Sequence, residues 1–140
     1  MCCNNNENCS CISEILSTIL KLQKEGQCHD KSIASCDRPF LGTNLSRKIN
    51  TRPVTFFSCN GTNPWVMPYD LNGTESNSTV FRIENLDGCC ATFRVLAPRN
   101  LPALDNCLDT PYVATDSFFT MNLNCCGALQ CLPDTYVECL

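Results

Sequence analysis

The sequence lacks the segments that direct a chain into or across a membrane. No apolar run approaches the ~18 residues that a membrane span requires. Residues 1–16 contain no basic region followed by an apolar region and a cleavage site, so we expect no secretory signal peptide. Neither end carries a myristoylation or prenylation motif. We therefore expect synthesis in a reducing compartment and no membrane span.

Basic residues are also scarce. Ten Lys and Arg residues against fourteen Asp and Glu residues give a formal net charge of −4. The chain therefore has no basic stripe for phosphate binding, and we expect no nucleic-acid partner. Charged residues make up only 17% of the chain, which weakens repulsion between copies and suits a protein that packs against itself. A soluble domain with a neutral polar surface is the simpler alternative.

Sequence motifs for catalysis and metal binding are missing as well. No C-x2-C spacing occurs, which disfavours a structural zinc site and a thioredoxin-like redox site. No G-x-S-x-G elbow or phosphate-binding glycine loop is found. Cys28, His29 and Asp30 are consecutive, so their side chains point apart instead of converging as a triad. We expect neither an enzyme nor a cofactor, and a cysteine-rich metal- or redox-binding module is the alternative function.

Cysteine is the residue that the sequence has in excess, at 14 of 140 residues. A chain of this length buries roughly two thirds of its unfolded surface, so it can fold without disulfides. The thiols therefore indicate another role: metal storage, redox catalysis, or a structure that is oxidised after its cell opens. The spacings favour the last of these.

The first 27 residues are predicted as a cysteine-rich arm followed by a helix. Residues 1–11 are mostly Asn, Ser and Cys, which is typical of a flexible arm. From Ser10, a suitable N-cap, apolar residues recur with the period of an amphipathic helix that ends near Gly26. These apolar residues are Ile12, Ile15, Leu16, Ile19 and Leu20. Residues 28–140 are predicted as a β domain with a cysteine-rich C-terminal segment.

The clearest strand pattern runs from Thr79 to Leu96 and predicts a β-hairpin. A three-residue loop over residues 86–88 would place Phe81 opposite Phe93 and so put apolar against apolar. In that register Cys89 lies on the core face and Cys90 on the outer face.

Other segments with strand character complete a mainly β fold. They are Val54–Cys59, a short stretch around residues 65–69, Tyr112–Thr115 and Phe119–Cys125. We expect a single antiparallel β-sandwich-like domain of two sheets, with one N-terminal amphipathic helix and the flexible cysteine-rich arm.

Four segments resemble a known family. FRIENLDGCCATFRVL, NTRP, PFLG and the closing NLNCCGALQCL are similar to signature segments of the cysteine-rich spore coat protein Y/Z family of Bacillus-type endospores, which includes exosporium basal-layer proteins. The resemblance spans nearly the whole chain. Two positions depart from the family pattern: Cys89 stands beside Cys90, and Cys126 sits one place earlier than the family's second closing thiol.

The resemblance implies a structural protein made in the mother-cell cytoplasm without a signal peptide. Such a protein self-assembles, as hexameric rings, into a hexagonal two-dimensional lattice on the spore surface, in the exosporium basal layer or outer coat. Its expected partners are itself and other coat or exosporium proteins. The family's thiols fall on Cys90, Cys125 and Cys131.

The cysteines divide into two sets of candidates. The candidates for disulfides between subunits are Cys2, Cys3, Cys9, Cys11, Cys90, Cys126 and Cys139. The candidates for core or intrasubunit positions are Cys89, Cys125 and Cys131.

Overall fold

The computed structural model describes residues 11–28, 49–99, 111–137 and 140. Within them lie one α-helix and seven strands. These are α1 (Cys11–Cys28), β1 (Val54–Ser58), β2 (Met67–Leu71), β3 (Thr74–Ser78), β4 (Phe81–Asp87), β5 (Cys90–Pro98), β6 (Tyr112–Asn122) and β7 (Cys126–Cys131).

The strands form two antiparallel sheets. Five strands make the larger sheet in the order β6-β5-β4-β1-β7, and β2 pairs with β3 in the smaller one. The smaller sheet lies beside β5 and β6, where the N–H of Asp70 donates to Ser117 Oγ (3.3 Å). The prediction of a mainly β fold with two antiparallel sheets and an N-terminal helix is confirmed.

Helix α1 covers β4 with its apolar side. Ile12, Leu16 and Ile19 are buried in the core, as their spacing predicts, whereas Ile15 is 44% exposed. Gln23 follows on the buried side, and its Nε2 donates to the carbonyl of Ile83 (2.8 Å). The helix continues past Gly26, the predicted end, to Cys28. The division of the chain at residues 27 and 28 stays a prediction, and the predicted flexible arm and Ser10 N-cap lie outside the described residues.

The β4–β5 hairpin differs from the predicted one. Asp87 is opposite Cys90, so the loop has two residues, Gly88 and Cys89, instead of three. Gly88 has φ +58°, as the first position of a type II′ loop requires. A bulge at Glu84, between Ile83 and Asn85, then shifts the register and places Ile83 opposite Phe93. The predicted pairing of Phe81 with Phe93 is wrong, because the bulge achieves the apolar match that the longer loop was expected to give.

The β2–β3 hairpin was missed by the sequence interpretation, which placed one short strand there. Its two-residue loop is Asn72-Gly73, with φ +54° and +81°. Positive φ at both positions is the requirement of a type I′ loop, and Asn-Gly is its commonest sequence. The strong local signal was therefore present in the sequence.

Strand β6 is one strand where two were predicted. Polar residues Asp116 and Ser117 interrupt the apolar alternation at a register shift against β5, between Arg94 and Leu96. Thr115 Oγ1 donates to the carbonyl of Val95 (2.6 Å) at the shift, so the strand continues through it. Beyond Asn122 the chain makes a 3₁₀ turn, Leu123–Cys125, before β7 begins.

Four phenylalanine rings form the centre of the core, and each contacts two others. The centroid distances are 4.7 Å for Phe56–Phe93, 5.8 Å for Phe56–Phe81, 4.9 Å for Phe81–Phe119 and 5.5 Å for Phe93–Phe119. Three of the rings are fully buried, and they come from β1, β4 and β5. The rings therefore connect neighbouring strands of the larger sheet.

Candidate assembly thiols and their support

Three free thiols lie on the surface at separate places in the fold. Cys11 is at the start of α1, Cys90 at the start of β5 and Cys131 at the end of β7, and all three are exposed. Cys131 was a candidate for a core or intrasubunit position, and its exposure places it outside the core. Cys131 is opposite Val54, which pairs with Phe81 at the start of β4. Cys90 is opposite the last residue of β4. The two thiols, on β7 and β5, are therefore level with opposite ends of β4.

Two other cysteines, Cys59 and Cys89, are disulfide-bonded. Cys89 occupies the second position of the β4–β5 loop and is half-buried, so it does not continue the inward series of Ala91 and Phe93 that the longer loop predicted. Its carbonyl accepts a hydrogen bond from the N–H of Leu123 (2.9 Å). The loop thus connects the hairpin to the 3₁₀ turn.

Cys125 and Cys126 lie at the junction between the 3₁₀ turn and β7. Cys125 ends the 3₁₀ turn and is half-buried, which breaks the strand alternation that placed it beside Leu123 in the core. Cys126 is also half-buried, and its thiol donates to the carbonyl of Ala128 (3.3 Å). Burial raises the pKa of Cys126 above its ordinary value. Cys2, Cys3, Cys9 and Cys139 lie outside the described residues.

Native alkylation should separate these thiols by rate. We expect iodoacetamide at neutral pH to modify Cys90 and Cys131 before Cys126, because only the thiolate reacts and burial both raises the pKa of Cys126 and limits access to its thiol. Peptide mass spectrometry over a time course measures the three rates, and urea-unfolded protein is the control in which the rates converge. Faster labelling of Cys126 in the folded protein would contradict this order.

A buried ionic cluster supports the sheet beside these thiols, and sequence reasoning missed it. Arg82 is only 2% exposed, although strand alternation placed it on the outer face. Its Nη1 lies 2.8 Å from Glu84 Oε1, and its Nε donates to Thr51 Oγ1 (2.9 Å). Burial lowers the pKa of Arg82, and the charge of Glu84 opposes that shift. Arg94 Nε donates to the same Glu84 oxygen (3.1 Å), so one carboxylate serves two guanidinium groups.

The segment that covers Arg82 is held by a long-range contact. Asn50 Nδ2 donates to the carbonyl of Val137 (2.9 Å), and its Oδ1 accepts from the Val137 N–H (2.9 Å). Next to it, Arg52 and Asp134 form a two-pronged ion pair, whose second contact measures 2.8 Å. This ion pair lowers the pKa of Asp134. Residues 50–52 and 134–137 are thereby fixed against each other.

A pocket of about 280 Å³ opens between this segment and α1. Its wall combines apolar side chains, Ile19, Leu22 and Ile49, with the polar groups of Gln23 and Asn50. Leu22 and Ile49 are 58% and 57% exposed. Gln23 and Asn50 already have hydrogen-bond partners in the fold, so the wall offers no buried polar group without a partner for a ligand.

In the part of the chain that the structure describes, no three His, Cys, Asp or Glu residues are grouped so that they could hold a metal ion. The only helix there, α1, is not long and apolar enough to cross a membrane.

Together, these features define a small, mainly β domain with exposed free thiols and a buried ionic cluster. A family model described as Spore coat protein Z matches residues 1–134. The chain therefore belongs to the spore coat protein Z family, and the resemblance of its signature segments is confirmed. No curated protein and no solved structure matches it. Membership of this family gives the chain a structural role in the spore coat, at the spore surface.

Proposed function

We propose that this protein self-assembles into a two-dimensional lattice, built from hexameric rings, and that disulfides between subunits lock the lattice after oxidation. The lattice would form a protective layer of the outer coat or the exosporium, in contact with other coat proteins. The hexagonal symmetry rests on the family resemblance. The covalent locking rests on the position of the thiols.

The observation that carries the proposal is the separation of Cys11, Cys90 and Cys131. A subunit with one reactive position forms at most covalent dimers, and one with two forms chains or rings. A two-dimensional network of single subunits joined by disulfides alone needs at least three. The three exposed free thiols lie at the start of a helix, at the start of β5 and at the end of β7, so each can face a different neighbour. Family membership in the spore coat supports the same role.

Electron microscopy of the protein expressed alone tests self-assembly. We expect ordered sheets or closed shells without any other coat protein, because the surface carries little charge to oppose packing. Treating the sheets with a reductant should weaken them without unfolding the subunits. A dispersed monomer at high concentration, in both oxidised and reduced samples, would overturn the proposal.

The arm thiols provide a second test of covalent locking. Replacing Cys2, Cys3, Cys9 and Cys11 by serine should leave folded, ring-forming subunits but lower the resistance of the sheets to heat and detergent. The reason is that thiols outside the sheet add links between subunits to those that Cys90 and Cys131 on the strands can make. Loss of particles on heating in detergent, followed by electron microscopy, measures the effect. Unchanged resistance would remove the arm from the proposed mechanism.

A further inference from the structure

Among the described residues, one edge of the larger sheet is open. Strand β7 pairs with β1 on one side, and among the described residues no strand pairs with its other side. An open edge presents backbone N–H and C=O groups that another strand can bind.

The hydrogen bonds of β1 identify the outward-facing groups. The N–H of Leu132 donates to the carbonyl of Pro53 (2.8 Å), so Leu132 faces β1. Antiparallel pairing alternates along the strand, and the backbone groups of Leu129 and Cys131 therefore point away from β1. Phe56, the residue of β1 opposite Leu129, shows the same alternation. Its carbonyl points away from β7 and accepts a hydrogen bond from the N–H of Trp65 (2.7 Å).

The side chains of this edge do not protect it. Exposed edge strands usually contain Pro or a charged residue such as Lys, which disfavours pairing with another chain. Strand β7 reads CGALQC and contains neither. Ala128 and Gln130 are exposed on its outer face. The bulge at Gly127 limits the regular part of the edge to residues 128–132. A neutral edge meets no charge repulsion from its own copy.

We propose that the β7 edge pairs antiparallel with the β7 edge of a second copy, across a two-fold axis at Gln130. This register places Leu129 of each copy opposite Cys131 of the other, so that the outward-facing groups of both strands meet in four hydrogen bonds. Centring the pair on Leu129 instead would bring the irregular backbone of Gly127 into the ladder. The inference rests on the proposed function, because the second copy is a neighbour in the coat layer.

The small area of the β7 pairing indicates which subunits in the layer it joins. A strand of about five residues buries far less than the roughly 1,200 Å² at which stable interfaces begin. Other contacts must therefore hold the two copies close together, so that the pairing of their β7 edges becomes effectively intramolecular. Rings close through heterologous contacts, whereas this contact is isologous. The β7 pairing consequently joins one ring to the next.

Charge variants at Gln130 test the pairing. Gln130→Lys alone and Gln130→Glu alone should each form rings that do not join into sheets, because like charges face each other across the axis. Mixing the two variants in equal amounts should restore sheets. Asn77→Lys, at an exposed position of β3, is the matched control and should assemble as the unmodified protein does. Electron microscopy counts rings and sheets, and circular dichroism checks the fold of each variant.

The possible outcomes distinguish failure of the β7 edge pairing from failure of the proposed lattice. Sheets from either single Gln130 variant, or failure of the mixture to restore them, would overturn the edge pairing while leaving lattice formation intact. Absence of sheets from the unmodified protein would overturn the proposed function, and the edge pairing with it. A disulfide between position 130 of two copies, found by mass spectrometry in oxidised Gln130→Cys sheets, would independently support the two-fold register, since directly opposed strand residues lie within disulfide range.

Discussion

Replacing Glu84 by alanine should lower the free energy of unfolding by about 3–5 kcal/mol, the usual cost of leaving a buried charge without its partner. Arg82 is only 2% exposed, and Glu84 is the carboxylate nearest to it, at 2.8 Å. The guanidinium cannot release its proton at ordinary pH, so it stays charged in the core. The loss is a large share of the roughly 5–15 kcal/mol that stabilises a typical domain. Urea unfolding monitored by circular dichroism measures it.

A double replacement and a neighbouring carboxylate serve as controls. Arg82→Met with Glu84→Leu removes both charges of the Arg82–Glu84 pair, so the part of the loss that comes from the unpaired Arg82 should return. Arg94 still lacks its Glu84 contact in this variant, so the recovery should be incomplete. Asp116 also lies near Arg94, at 3.9 Å, but its side chain is fully exposed. Asp116→Ala should therefore leave the urea midpoint unchanged. Equal losses for Glu84→Ala and Asp116→Ala would show that burial does not set the strength of these contacts.

Replacing Phe93 by alanine should be as damaging, with an expected loss of about 3–5 kcal/mol. The side chain is fully buried, and its ring contacts those of Phe56 and Phe119, at 4.7 and 5.5 Å. Alanine leaves a cavity among rings that are fixed on three strands, so the surroundings cannot collapse into it. The same urea titration gives the magnitude.

The matched control for Phe93 is Phe118, an aromatic residue on the neighbouring strand. Phe118 is 49% exposed, and its ring lies under the Arg94 guanidinium, 4.5 Å from the centroid. Its replacement by alanine should cost only about 0.5–1 kcal/mol, the range for an exposed cation–π contact. A loss equal to that of Phe93→Ala would mean that the four-ring core is not the main source of stability.

Local patterns predicted the elements better than they predicted the register. The spacing of Ile12, Leu16 and Ile19 predicts the buried side of α1, and alternation predicts β4, β5 and most of β6. The bulge at Glu84 could not be predicted in this way. The bulge residue Glu84 contacts two guanidinium groups, and that of Arg94 comes from a different strand, so the contacts at the bulge are tertiary and not local.

The burial of Arg82 was beyond local reasoning for a related cause. The alternation along β4 correctly places Arg82 on the opposite face of the sheet from Phe81 and Ile83. That face is nevertheless covered at this point by residues 50–52. The disulfides of Cys59 and Cys89 are likewise set by tertiary structure and not by spacing. The exposure of Cys90, by contrast, followed from its place in the hairpin, even though the loop was wrong.

The pair of hydrogen bonds between Asn50 and Val137 also determines how late in synthesis a subunit can complete its fold. It joins residues 87 positions apart, and closing a loop of that length costs roughly 4 kcal/mol of chain entropy. At about 5–20 residues per second, the ribosome needs roughly 4–17 s to deliver Val137 after Asn50. During that time the cover over Arg82 is incomplete. A nascent chain can therefore complete this part of the fold only after residue 137 has been synthesised.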